Sequence, residues 1–185
     1  EARGLVYIID LLSLGDEAAF TGPYSMRDFL QDPAVEKLFW DCRTDLRALR
    51  SNHGVEVRNI VDLQLVQVAC LSASGADVVR VQGLGRAIDK SLKHQLTHEE
   101  RTRIEDTKEL SHRLFAPNLG GSFDILAVRP LLPVLIEYCT DVRYFHMLKI
   151  TFAVPRGMLQ RGVEVEFPHE LSAAIAKRVE SSASM

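Results

Sequence analysis

The apolar positions fall into short runs separated by polar breaks, and their spacing switches repeatedly between strand-like and helix-like. Leu5 to Asp10 (LVYIID) is a continuous apolar run rich in β-branched residues and closed by an acid, the pattern of a strand buried on both faces. After the Gly22-Pro23 break, Met26, Phe29 and Leu30 stand at helical spacing. Lys37 to Trp40 reads as a second strand. A helix follows with Thr44 near its start, Leu46 and Leu49 on one face, and Gly54 just past its end. Val55 to Ile60 alternates weakly as a short strand, and Asp62 is placed to cap a largely buried helix over Leu63 to Leu71. Ser72 to Asp77 is a small-residue loop, and Gly83 to Leu92 is amphipathic through Leu84, Ala87, Ile88 and Leu92. Thr97 and Glu100 form a capping box that opens a charged helix from His98 to about Arg113. Phe115 to Arg129, with Pro117 and Gly120-Gly121, reads as an ordered loop. One helix is predicted from Leu131 to Leu148 through Leu135, Tyr138, Val142 and Phe145, and another in the tail from Glu166, fraying over Ser181 to Met185. Strands alternating with helices predict a layered α/β domain.

Composition narrows the class. The 185 residues are 46% hydrophobic and 25% charged, enough for a core that needs neither disulfides nor a metal. No run approaches the ~18 apolar residues of a membrane span, and no secretory leader pattern opens the chain. An intracellular protein, cytoplasmic or nuclear, is the expectation. Cys42, Cys70 and Cys139 lie among apolar neighbours and read as buried reduced thiols. A net charge of −3 argues against attachment to nucleic acid by bulk electrostatics.

Several chemistries are disfavoured. Gly83-Leu84-Gly85 lacks the third glycine of a dinucleotide loop, no GxxxxGK[ST] occurs, and there is no GxSxG elbow. His94 and His98 are four apart, but a new helix begins between them. Carboxylates remain. Asp45 lies in the first turn after a buried strand, and Asp141 follows Tyr138 by three, which on a helix places them on neighbouring ridges at the margin of the apolar stripe. Their structural alternatives are a helix-start acid at Asp45 and, at Asp141, a solvated residue paired with Arg143 or Lys149. Arg43, Arg47 and Arg50 share one helix face and could track a phosphate backbone or serve as a solvated face.

Taken in order, VYIIDLLSLG, KLFWDCRTDLRAL, NIVDLQLVQVA, VQGLGRAI, LFAPNLGGSFDILAVRPLLP and IEYCTDVRYFHML resemble the 3′–5′ exonuclease domain of the RNase D type, in the DEDD superfamily. The order and spacing hold over about 140 residues. The resemblance implies an RNase H-like α/β fold, a mixed sheet flanked by helices, over 1–160, followed by a C-terminal helix and tail over 161–185. It implies hydrolysis of single-stranded RNA or DNA from the 3′ end by two divalent ions, Mg²⁺ or Mn²⁺, held on four carboxylates. By motif, Asp45 and Asp141 match two of the metal ligands, Tyr138 matches the water-positioning tyrosine, and Arg43, Arg47 and Arg50 are candidates for nucleic-acid contact. Asp62 matches a family acid that is not a ligand.

Two departures accompany the match. The family's Asp-x-Glu pair has no counterpart here, since Asp10 is followed by two leucines and Asp16-Glu17 are adjacent. The chain is therefore expected to begin one or two strands late for its fold, with exonuclease activity requiring that pair from upstream. The tyrosine-to-aspartate spacing is three instead of four, and at four stands Glu137. The rival expectation is a non-catalytic module that binds nucleic acid or a protein partner.

Overall fold

A computed structural model describes residues 5–75, 80–153 and 169–183. Its sheet is built from two short runs, β1 (Lys37–Phe39) and β2 (Ile60–Asp62), which pair in parallel with Lys37 opposite Ile60 and Phe39 opposite Asp62. A parallel pair needs a crossover, and α4 (Arg43–His53) supplies it. Gly54 ends α4 in the left-handed region at φ 60° and donates its N–H to Arg50, which is why that position suits glycine. β2 runs directly into α5 (Leu63–Ala73).

Before β1 lie three short helices, α1 (Leu11–Leu14), α2 (Asp16–Phe20) and α3 (Met26–Gln31). After α5 come α6 (Leu84–Leu92) and α7 (His98–Phe115), the latter opened by the Thr97–Glu100 capping box that its sequence predicts. A 3₁₀-rich loop leads to α8 (Pro133–Tyr138), a 3₁₀ segment (Cys139–Tyr144) and α9 (Phe145–Ala153). The last element is α10 (His169–Ala183). The main core gathers Val61, Leu63 and Val66 with Ile88 and Leu92 of α6, Leu148 and Phe152 of α9 and Ile175 of α10. Ala19, Phe20, Leu30 and Val55 form a second cluster under the N-terminal helices. No described helix is long and apolar enough to cross a membrane.

The α/β alternation stands, but several local expectations are corrected. Leu5 to Asp10 is not a strand: no strand pairs with it among the described residues, and Leu5 and Tyr7 are exposed. Its composition favours β structure, yet extended backbone without a neighbouring edge leaves its N–H and C=O groups to water. The sheet among the described residues is accordingly two parallel strands instead of a larger mixed one. The strand expected at Val55 to Ile60 sits later, at Ile60–Asp62, because Val55 leaves the sheet to fill the second cluster. The helix expected from Leu131 to Leu148 is interrupted by the 3₁₀ segment, and the tail helix continues to Ala183. Cys42 is buried, but Cys139 is exposed.

Asp10 takes another role. It caps α1 by accepting from the Ser13 N–H at 3.3 Å, and it forms a two-pronged ion pair with Arg129 from the loop before α8. Hydrogen bonds from the Arg129 guanidinium, then from Ser13, hold its carboxyl well below the usual carboxylate range. A depressed folded-state pKa contributes stability that is complete above the unfolded value of about 4 and is lost as pH falls below it. Arg129→Gln is therefore expected to destabilise the fold most at neutral pH, to lose that deficit as pH falls well below about 4, and to move the acid-unfolding midpoint upward, followed by near-UV circular dichroism. An unchanged acid midpoint would show that the pair adds nothing.

Candidate functional site

The turn between β1 and α4 carries the densest acidic chemistry. Asp41 adopts φ 57°, a left-handed conformation that aspartate tolerates better than most side chains. That twist aims its N–H, and the next one at Cys42, toward the Asp62 carboxylate at the end of β2, at 3.1 and 3.3 Å. Asp62 is fully buried and also accepts from the Gln64 N–H at 3.0 Å, the predicted cap of α5. Its fourth donor is distant in sequence: Arg178 of α10 reaches Asp62 at 2.6 Å and Asp41 at 3.5 Å.

Charges around this turn differ in kind. Arg43 grips Asp41 through two bonds of 2.7 Å and holds that carboxyl low. Burial, and then the Asp62 charge beside it, pushes the Cys42 thiol up to about 12, so it is an inert packing group and not a nucleophile. Asp45, in the first turn of α4, is raised by the crowding of its carboxyl, and further by Asp41 and Asp62. No cation figures among the influences on Asp45.

The second expected centre lies at the junction of α8 and the 3₁₀ segment. Asp141 is half-buried, and burial raises its carboxyl against the opposing pull of Lys108 and Arg143. Glu137, one residue before Tyr138, is engaged by Arg103 at 3.2 Å and Arg143 at 3.7 Å. Tyr138 packs edge-on against Phe115 with centroids 5.9 Å apart. The short tyrosine-to-aspartate spacing has a geometric counterpart here. In an α-helix residues three apart are offset by about 60°, whereas a 3₁₀ turn of 3.0 residues brings them into line. The winding from Cys139 to Tyr144 is 3₁₀, which sets Asp141 one tight turn after Tyr138.

The structure brings Tyr138 and Asp141 onto one junction and sets Asp45 in a different charge environment. The side chains that shift Asp45 are Asp41 and Asp62; those that shift Asp141 are Lys108, Arg143 and Glu137. Among the described residues no group of three or more His, Cys, Asp or Glu is placed to hold a metal ion. Of the arginine face, Arg43 is committed to Asp41 and Arg50 lies 3.5 Å from Glu56, while Arg47 is exposed. Lys149 goes to Glu36 and not to Asp141. Sequence reasoning missed Asp41 and Arg178. The first was legible only as one acid of DCRTD, and the second left no local signal because its partners stand more than a hundred positions away.

Among the described residues a two-strand parallel sheet flanked by helices, with Asp62 ending β2 and Asp41 in the turn after β1, defines an α/β domain. Residues 1–101 match the 3′–5′ exonuclease family, and the chain belongs to that family. Within it the likeness is to RNase D. The structure resembles Trypanosoma brucei RNase D bound to GMP, with TM-score 0.66 and 27% identity, over 94% of this chain and 46% of that one. A second structure of Trypanosoma brucei RNase D gives TM-score 0.66 at 26% identity, covering 94% of this chain and 53% of that one. Its complex with RNA U12 gives 0.64 at 25%, covering 94% and 50%. The chain thus spans about half the length of these relatives. No curated protein matches the sequence.

Proposed function

We propose that this domain takes the 3′ end of single-stranded RNA and that Asp45, Asp141 and Tyr138 are its contribution to 3′–5′ hydrolysis. The observation that carries the reading is the likeness, over 94% of the chain, to an RNase D structure that holds RNA U12. Exonuclease domains of this kind use divalent ions, and Mg²⁺ or Mn²⁺ suits an all-oxygen donor set. When bound, such ions activate a water and stabilise the leaving 3′ oxygen. The described residues do not complete a site for two of them, so Asp45 and Asp141 are proposed as two ligands of a set that needs the Asp-x-Glu pair as well. Tyr138 is proposed to orient the attacking water beside Asp141. Arg43, Arg47 and Arg50 are proposed to meet the backbone phosphates, with Arg47 the best placed because its neighbours are drawn to acids. An RNA substrate puts the work of the protein in the cytoplasm or nucleus.

The separate surroundings of Asp45 and Asp141 support a second reading, in which the domain binds RNA without cutting it. One experiment separates them. A 5′-labelled single-stranded oligouridine with a free 3′ hydroxyl, its DNA counterpart and a duplex are each incubated with the protein, with and without Mg²⁺ or Mn²⁺, and binding and trimming are followed together. Metal-dependent shortening of the single strand supports hydrolysis. Tight binding with no shortening, even when an upstream Asp-x-Glu segment is supplied, supports the binding module. Failure to retain the single-stranded RNA at all overturns both.

A further inference from the structure

We infer that Phe123, stacked on Phe115 beside Tyr138, is a shelf on which a base of the bound RNA strand stacks. The inference rests on the RNA reading above and adds where, and by what chemistry, a nucleobase is held. The Phe115 and Phe123 rings lie 5.1 Å apart at 15°, nearly parallel, and Tyr138 meets Phe115 from the side. Phe123 is 67% exposed, so one ring face rests on Phe115 while the other opens to water. Burying such a ring is favourable. Leaving one face open forgoes part of that gain.

The exposed ring is held by backbone. The chain leaves α7 through Gly120 in the left-handed region at φ 81°. Gly121 then passes so close to the end of α7 that a Cβ would lie 2.4 Å from the Leu114 carbonyl oxygen and 2.6 Å from that of Arg113. Only glycine fits there. The Gly121 N–H donates to Ala116 at 3.0 Å and the Ser122 N–H to Leu114 at 2.9 Å. The Ser122 hydroxyl then accepts from the Asp124 N–H at 3.1 Å, starting the turn that carries Phe123. A loop floating on the surface would need none of these restraints.

Cations gather at the Tyr138 end of the ring row, around Glu137 and Asp141. Arg103 of α7 and Arg143 of the 3₁₀ segment share one counter-ion, Glu137, and Lys108 acts on Asp141. Lys108 also lies across Gly85 of α6, where a Cβ would fall 1.9 Å from its Cε. The side chain thus runs along α6 instead of extending freely. A flat ring row that leads toward Arg103, Arg143 and Lys108 matches stacked bases joined by phosphates. A purely apolar protein-docking face has no use for the cations.

The test uses the whole chain and a labelled oligouridine, read by fluorescence anisotropy, with circular dichroism confirming that each variant is folded. Phe123→Ala is expected to weaken binding about tenfold, within the range for loss of one base–aromatic stack. Phe123→Tyr is expected to bind as the wild type does. Phe123→Leu is expected to fall with alanine, because an aliphatic side chain has no π face. Oligouridine carrying 4-thiouridine is expected to crosslink at Phe123 on irradiation. Wild-type affinity in Phe123→Ala would overturn the shelf, as would full affinity in Phe123→Leu, which marks a merely apolar contact such as a protein partner makes. A wild type that binds no oligouridine overturns the RNA reading itself, a result distinct from either.

Discussion

Asp62→Ala is expected to cost about 3–5 kcal/mol, the loss measured when one member of a buried charge pair is removed. For a chain of this size that is a fall in Tm on the order of 10 °C, read by thermal denaturation. The reason lies in how many parts of the fold converge on one carboxylate. Asp62 ends β2, caps α5 through Gln64, fixes the turn after β1 through the N–H groups of Asp41 and Cys42, and receives Arg178 from α10. Removing it leaves a guanidinium whose side chain is only 14% exposed with the more distant Asp41, at 3.5 Å, and leaves the buried Cys42 N–H without its acceptor. Arg178→Met, which leaves Asp62 its three backbone donors, is expected to lose less, about 1.5–3 kcal/mol for one charged hydrogen bond. Its distinctive effect should be at α10: faster proteolysis of the C-terminal helix while β1, α4 and β2 keep their protection. Equal losses in the two variants would mean that the Arg178 contact, and not the strand-end network, carries the stabilisation.

That network also marks how far the sequence could be read. The cap of α5 by Asp62, the capping box at Thr97 and Glu100, and the end of α4 at Gly54 are local signals spanning one helical turn, and each is present in the structure. LVYIID failed for the opposite reason. Its β-branched residues satisfy any strand template, but pairing depends on an edge supplied by other parts of the chain, and none of the described strands provides it. The helix expected over Leu131 to Leu148 failed through winding: apolar spacings of three and four fit an α-helix and a 3₁₀ insertion almost equally. Only the short Tyr138-to-Asp141 interval hinted at the tighter form. Family membership came from the order of weak motifs. The surroundings of Asp45 and Asp141 did not, because a neighbour's charge and the depth of burial are properties of the folded chain.

Asp45→Asn is expected to move activity and stability in opposite directions. In trimming assays supplied with divalent metal and the Asp-x-Glu segment, the loss should be at least ~100-fold, since even outer partners of metal ligands cost ~10–100-fold. Stability should rise. In the folded chain Asp45 lies on the exposed side of α4, and its carboxyl is raised modestly, first by partial loss of water around it and then by the Asp41 and Asp62 charges, with no cation opposing them among the described residues. A carboxyl raised on folding binds its proton more tightly in the native state. Between its unfolded value and the higher folded one, the native chain therefore holds more protons, and stability falls as pH increases through that window. Asparagine has no proton to lose and removes the fall, so the variant should melt above the wild type at neutral pH and match it more closely below about pH 4. Adding Mn²⁺ to the wild type should recover part of the difference if a cation settles against Asp45, and should leave Asp45→Asn unmoved. A variant that melts lower than the wild type at neutral pH would identify Asp45 as a structural helix-start acid, whose charge favours α4 through the helix dipole, and would remove it from the proposed ligand set.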